Sequence, residues 1–383
     1  WNDFFQGILT IVMSLLLIPF VMHALGGVSG VAARMPDVKA AFSLVAPGEI
    51  GLYWILAAAI NQMFSVVVAP HIMSNMAAGK SELDNRVGFA GGTSVKRLCT
   101  IAWALIGVLA IAYYGPGKMQ GDFVFGALIR DLLPAGFVGL MIACIMASVM
   151  DNCAVFVITT SALFTRNVLR VFRREGGDER LELWVSRIFS VVYVGVSIGL
   201  AYSLTDVPSG IRLLWNVQPL IGISFWLGLW WRRANRYGAW ASFIGASIAW
   251  GAGVYVFKLT GDAGLPYLMT LYLVTGIAAG AIVSLLTAPE PELLLDRFYL
   301  TINTPVGQEH KLERFQNPGI ARRGGGAMKP PVKPDWYPKL VDWANWEIPT
   351  PGKEAVAGFF VVLAVSLMLH GIVLWLCAVF KAG

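Results

Sequence analysis

Residues 133–170, LPAGFVGLMIACIMASVMDNCAVFVITTSALFTRNVLR, carry the pattern that decides the fold. The stretch is apolar and long enough to cross a bilayer as one helix, yet it holds Ser148, Asp151, Asn152, Thr159 and Thr160 near its middle. Residues three and four apart share a helical face, so Ser148, Asp151, Asn152 and Thr159 form one stripe. A carboxylate at mid-membrane costs about 2.5–3.5 kcal/mol on insertion scales, so such a stripe faces a bundle interior or a watery cavity, not lipid. Two readings of Asp151 stay open: an ion or solute site, or a structural carboxylate bonded to a neighbouring helix.

The rest of the chain fits a membrane protein. Of its 383 residues, 57% are hydrophobic and 14% charged, a composition far from that of a soluble domain. A span needs about 20 mostly apolar residues. Nine segments qualify, near 4–25, 50–76, 97–115, 136–165, 185–204, 212–230, 238–258, 266–288 and 355–380. The expected fold is therefore an all-α, polytopic membrane helix bundle with about nine transmembrane helices. Residues 1–288 hold the transmembrane core and first peripheral helices, 289–354 a cytoplasmic or interfacial loop, and 355–383 a C-terminal transmembrane helix.

The net charge of +6 does not point to nucleic acid, because the basic residues are dispersed among short loops. Alternate loops hold 22 of the 29 Lys and Arg residues, which places those loops in the cytoplasm and the start of the first span with them. Cys99, Cys144, Cys153 and Cys377 all lie in apolar segments without paired or metal-like spacing, and read as small buried hydrophobes. The opening WNDFFQGILTIVMSLLL lacks the basic start and cleavage site of a signal peptide and reads as beginning inside a larger protein.

The second span contains Asn61, Gln62, Pro70 and His71. Pro70 has no backbone donor and frees a carbonyl, which a membrane tolerates where the helix lines a cavity, so an unwound segment is expected there. Asn61 and Gln62 are either gate residues or satisfied amides; His71 is either a solute contact or a hydrogen-bonded structural histidine. Asp3, at the cytoplasmic end of the first span, could simply complement the helix N-terminus. Between 289 and 354, LLLDRFYLTI reads as a short amphipathic helix, and NPGIARRGGGAMKPPVKPDWYP as an irregular linker. Trp336, Tyr337, Trp343 and Trp346 suit a segment at the headgroup level. No Walker motif or metal-ligand spacing appears, and no nucleophile and base stand at catalytic spacing, so neither a primary pump nor an enzyme is expected.

Several motifs together resemble the sodium:solute symporter family, which includes sugar, proline and pantothenate carriers. They are Trp-x-Asp-x-x-Gln opening the first span, Pro70-His71-Ile72 in the second, VKRLCTIAWALIGVLAIA (95–112), LLPAGFVGL (132–140), SALFTRNVLR (161–170), WRRANRYGAW (231–240) and LDRFYLTINTPVGQE (295–309). The resemblance implies two inverted five-helix repeats around an interior site. It makes the first span the fifth core helix, spans two to six the second repeat, and the last three peripheral. The first four core helices would then lie outside this chain, leaving an open face lined by small and polar residues.

The same resemblance implies secondary active transport, with cation entry driving uptake of a small polar solute through the lipid bilayer. The expected setting is a bacterial inner membrane, and neither nucleic acid nor a protein partner is implied. In the family an acid near Asp3 serves the cation route, and two adjacent serines that bind sodium fall at Asp151 and Asn152. The acidic or hydroxyl residue that often follows falls at Ala154, and an amide that contacts sugar falls at Ala69. The implied cation set is thus Ser148, Asp151, Asn152 and Asp3, with sodium held by the first three, and the implied solute set Asn61, Gln62 and His71. Asp and Asn supply oxygens suited to a hard cation. The changed charge keeps two alternatives open: proton coupling through Asp151, and a sensor or scaffold without coupled transport.

Overall fold

The computed structural model describes residues 2–35, 50–76, 78–169, 179–304, 346–348 and 351–382, apart from the side chains of residues 2, 3 and 382. Among these, every regular element is helical, and an isolated bridge pairs Trp231 with Trp346. In chain order the helices are α1 (Asn2–Leu25), α2 (Gly27–Arg34), α3 (Leu52–Val66), α4 (Pro70–Met76), α5 (Glu82–Tyr114), α6 (Gly121–Leu132) and α7 (Ala135–Phe164). There follow a π turn (Thr165–Leu169), α8 (Glu179–Ser203), α9 (Val207–Trp230), α10 (Arg236–Tyr255), α11 (Gly261–Leu286), α12 (Glu292–Asn303) and α13 (Lys353–Ala382).

Seven helices, α1, α5, α7, α8, α9, α11 and α13, are long and apolar enough to cross a membrane, and α3 with α4 makes an eighth if that bent pair is one span. The seventh expected segment, 238–258, does form as the 20-residue α10, but its composition falls short of the others. The reason lies in its sequence, GAWASFIGASIAWGAG, where glycine, alanine and serine serve close helix packing at the expense of hydropathy. Helix α5 starts well before the expected residue 97: its 33 residues span about 50 Å, more than the hydrocarbon core, so its charged first turns reach beyond it. The amphipathic helix expected near 295 forms as α12, whereas the linker over 317–338 and Trp336, Tyr337 and Trp343 lie outside the described residues.

The chain divides into two compact units, each discontinuous in sequence: residues 1–46, 87–211 and 360–383, and residues 47–86 and 212–359. In the first, Met13, Leu17, Val21 and Leu25 of α1 form a core with Ile106 and Leu109 of α5, Leu128 and Ile129 of α6, and Met141 and Cys144 of α7. Helix α8 buries no residue and holds α7 by a Ser161–Ser190 hydroxyl bond (2.7 Å) and by stacked Phe164 and Phe189 rings, 4.0 Å between centroids. Cys99 and Cys144 are buried as expected, but Cys153 is exposed, because α7 turns that face away from its packed neighbours.

In the second unit, α10 and α11 pack along facing small residues: Gly238, Ser242 and Ala246 against Gly276, Gly280 and Ser284. A Cβ on Gly238 would overlap the Ser284 hydroxyl and stand 2.8 Å from the Gly280 carbonyl oxygen, so the backbones meet only because no side chain intervenes. The α9–α10 turn is fixed by its own polar residues. Asn235 caps α10 by accepting from Gly238 N (2.9 Å) and donates to Thr287 Oγ1 and the Ala288 carbonyl (2.7 and 3.0 Å). Arg233 donates to the carbonyls of Leu285 and Thr287 at the end of α11 (3.1 and 2.7 Å).

Arg232 sits between two carboxylates, Asp296 of α12 and Glu347, the latter at 2.7 Å and with no exposed side-chain surface. The same segment caps α9: the Trp230 carbonyl accepts from Glu347 N (2.9 Å), and the Gly228 carbonyl from the Tyr299 hydroxyl (2.6 Å). Burial alone would lower the Arg232 pKa, but its bonds to Glu347 and Asp296 raise it above the ordinary value. Burial, with the Glu347 carboxylate nearby, pushes the Tyr299 phenol up to about 12. Removing the guanidinium strands two acids. Arg232→Ala is therefore expected to cost about 3 kcal/mol, the low end for a broken buried pair, and Glu347→Gln about 1 kcal/mol, one hydrogen bond. Thermal unfolding in detergent, with Arg232→Ala losing clearly more than Glu347→Gln, checks the order.

Candidate functional site

The residues singled out from the sequence fall in both units, and each group is built by its own unit. In the first, α1 and α7 are joined through hydroxyls: Thr10 donates to the Gln6 carbonyl (2.9 Å) and accepts a weak contact from Cys144 Sγ (3.8 Å), while Ser14 donates to the Thr10 carbonyl (2.6 Å). Asp3 lies in the first turn of α1, and its side chain is outside the described set. Gln6, of the same opening motif, buries Oε1 with no hydrogen-bond partner.

On α7, Ser148, Asp151, Thr159 and Thr160 are half-buried and Asn152 is exposed. Their apolar neighbours Met146, Val149, Met150 and Ile158 are 52–69% exposed, so Ser148, Asp151 and Thr159 are more enclosed than these, as are Ala147, Val155 and Val157. Asn152 Nδ2 donates to the Ser148 carbonyl (2.8 Å). That bond commits the amide NH2 to the helix and turns Oδ1 away from it. The structure thus brings Ser148 and Asn152 together on one turn, with Asp151 beside them. The set offers hydroxyl, carboxylate and amide oxygens, a donor chemistry that fits a hard cation. After Phe164 the helix widens into the π turn, where Thr165 donates to the Ser161 carbonyl (2.9 Å); such turns are frequent at functional sites.

In the second unit the expected interruption at Pro70 is present: α3 ends at Val66, α4 begins at Pro70, and the two are bent by 65°. His71 and Gln62 flank this break, both half-buried, and the His71 carbonyl accepts from Ser74 Oγ (3.0 Å). Ala69, at the break itself, is buried.

Asn61 has a different surrounding. It is fully buried; its Nδ2 donates to the Trp215 carbonyl (2.8 Å) and its Oδ1 accepts from the Tyr272 hydroxyl (2.7 Å), while Ser65 donates to the Asn61 carbonyl (3.0 Å). The Trp215 carbonyl needs a donor because the residue four further on is Pro219, which has no N–H. A proline inside α9 thus creates the acceptor that an asparagine on α3 fills, and a tyrosine on α11 completes the pair. Tyr272, Trp215 and Pro219 were not singled out from the sequence. The only local signal was Pro219 inside an apolar span, which says that a carbonyl is freed but not what meets it.

A model of the sodium:solute symporter family matches residues 1–245. Among curated proteins the chain is 32% identical over 134 residues to the sodium/mannose cotransporter of Bos taurus, covering 33% of this chain and 22% of that one. It is 26% identical over 260 residues to the sodium/pantothenate symporter of Haemophilus influenzae, covering 63% of this chain and 51% of the relative. With the sodium/glucose cotransporter 4 of Homo sapiens it shares 29% over 243 residues, 54% of this chain and 35% of that one. The chain thus spans about half the length, or less, of these relatives. A solved structure, the substrate-bound outward-open state of a Na+-coupled sialic acid symporter, superposes with a TM-score of 0.59 at 18% identity, covering 76% of this chain and 62% of that one. At that identity the likeness is one of fold.

The Asn61 network yields a direct expectation. A polar contact between membrane helices contributes about 0.6 kcal/mol and up to about 1.7. Tyr272→Phe removes the bond to Asn61 Oδ1 and a long contact to the Trp215 carbonyl (3.4 Å) and should cost about 1 kcal/mol, whereas Asn61→Ala takes away the 2.8 Å donor of that carbonyl together with the acceptor of the Tyr272 hydroxyl and should cost roughly twice that. Denaturant unfolding in mixed micelles measures both; equal losses would mean that the Trp215 carbonyl does not depend on Asn61.

Proposed function

We propose that this chain, which belongs to the sodium:solute symporter family, carries out sodium-coupled symport of a small polar solute as a multi-pass integral membrane protein. The single observation that carries the reading is the family match over residues 1–245, supported by the likeness of fold to a sodium-coupled symporter. The broken α3–α4 span adds to it, since discontinuous helices in transporters expose carbonyls and helix ends where ions and solutes bind. We read the protein as a transporter and not an enzyme, and its setting as a bacterial inner membrane, in keeping with the relative from Haemophilus influenzae.

In this reading Asp151 is the coupling residue, with Ser148 and Asn152 as neighbouring oxygen ligands, and Asp3 lies on the cation's cytoplasmic route. An ionised Asp151 and a sodium ion form a neutral pair, which offsets the desolvation of a half-buried carboxylate. Gln62 and His71 are the solute-facing candidates at the break. Asn61 serves this surface from behind, because both ends of its amide are engaged by α9 and α11. The solutes to try are those of the relatives: mannose, glucose, pantothenate and sialic acid.

A second reading has one observation in its favour. Asp151-Asn152 stands where the resemblance puts two serines, so a sensor that keeps the fold without coupled transport deserves a direct comparison. Uptake of that solute panel into vesicles, driven by a sodium gradient and then by a proton gradient without sodium, separates the cases: a symporter accumulates solute with sodium, and a sensor binds without accumulating.

The site is tested by two variants of the full-length protein. Asp151→Asn is expected to weaken sodium dependence by roughly tenfold or more, the loss of one charged ligand. Asp151→Ser with Asn152→Ser is expected to keep sodium-driven uptake with an altered sodium half-saturation. Unchanged ion dependence in both would reduce the carboxylate to a structural role. For Asp3→Asn the expected outcome is a weaker sodium dependence at nearly constant solute KM; the reverse pattern would assign Asp3 to the solute.

A further inference from the structure

The last turn of α3 ends in carbonyls that have no partner within the helix, because the chain breaks before α4. Two of them meet α9. The Met63 carbonyl accepts from Trp226 Nε1 (3.0 Å). The Phe64 carbonyl lies so close to Gly222 that a Cβ there would overlap its oxygen and come within 2.7 Å of its carbon. One turn and more earlier, the Trp215 carbonyl meets Asn61. Helix α9 therefore touches α3 at three successive levels, and the last two fall at the break. The Trp226 ring is itself held: it packs at a tilt against Trp230 (4.3 Å between centroids), whose carbonyl is capped by Glu347 N.

We infer that Trp226 and Gly222 are positioning residues that fix the geometry of the α3–α4 break, and through it the presentation of Gln62 and His71 to the solute. Neither need touch solute or cation. Trp226 supplies the N–H that replaces the missing helical donor for Met63, and Gly222 supplies the absence of a side chain that lets α9 approach. The functional half of this inference rests on the transport reading; the geometric half does not.

The experiment places a reporter thiol at the break, Val68→Cys, in the full-length protein, and follows its alkylation by N-ethylmaleimide with mass spectrometry, in choline chloride and in sodium chloride. Trp226→Phe keeps the ring and removes the donor, Gly222→Ala adds the excluded methyl, and Tyr299→Phe is the control that loosens the same C-terminal end of α9, at Gly228, while leaving the Trp226–Met63 bond in place. Trp226→Phe and Gly222→Ala are each expected to speed alkylation roughly three- to tenfold, the range for one hydrogen bond lost, while Tyr299→Phe leaves the rate within twofold. For whichever panel solute is taken up, Trp226→Phe should raise KM by a similar factor with maximal rate nearly unchanged. Alkylation and KM both unchanged in Trp226→Phe, or an equal acceleration in Tyr299→Phe, overturns the inference. If no solute is taken up even by the unmodified protein, the transport reading fails, and the alkylation series still decides whether Trp226 and Gly222 hold the break. Should Trp226→Phe not fold, Gly222→Ala decides the same point.

Discussion

Inside a bilayer a backbone carbonyl without a donor is costly, because no water replaces the lost hydrogen bond. In the second unit such carbonyls arise at Pro219 inside α9 and at the end of α3, before α4 begins. Much of the second unit answers them. Asn61 and Tyr272 meet the consequences of Pro219, and Trp226 meets the end of α3. The broken span can therefore be rigid, although residues 67–69 are not helical. That is the requirement for a site made of helix ends: the irregular backbone needs partners that leave its solute-facing side available.

The surroundings of this network are built for close approach. The α10–α11 pair brings Tyr272 to its place by packing glycine, alanine and serine against one another, so that α11 rests on a neighbour with little side-chain freedom to lose. At the other end of α9 a charged clasp takes over. Arg232, Asp296 and Glu347 are largely withdrawn from water and satisfy one another. Such a cluster adds less net stability than its contacts suggest, since desolvation offsets the attraction, but it makes the position of α9 all-or-none. The register in which Trp226 reaches Met63 is thereby specified from both sides.

The first unit solves the same problem with smaller means. Hydroxyls on α1, α7 and α8 bond back to their own carbonyls four residues earlier or across to one another, as Thr10, Ser14, Ser161 and Ser190 do. Against that economical background Asp151 stands out, because a charge needs more than a back-bond to offset its transfer from water.

The sequence by itself determined what depends on local chemistry. Hydropathy and length marked the spans, Pro70 marked the break, the amphipathic pattern near 295 marked α12, and the ordered motifs marked the family. It also isolated Asp151, because an intramembrane carboxylate is conspicuous without any knowledge of its neighbours. At α10 hydropathy marked the helix less strongly, since a helix that packs through glycine and serine trades hydropathy for proximity. Only the tertiary structure decided the roles of Asn61, Tyr272, Trp226 and Arg232. Asn61 meets partners 154 and 211 residues away, and Arg232 meets acids 64 and 115 residues away. A proline shows in the sequence that a carbonyl is freed, and a basic loop shows which side of the membrane it occupies. Which donor reaches that carbonyl, and which acids reach that guanidinium, is fixed by the packing of distant helices, where hydrogen bonds of about 3 Å leave no trace in local residue order.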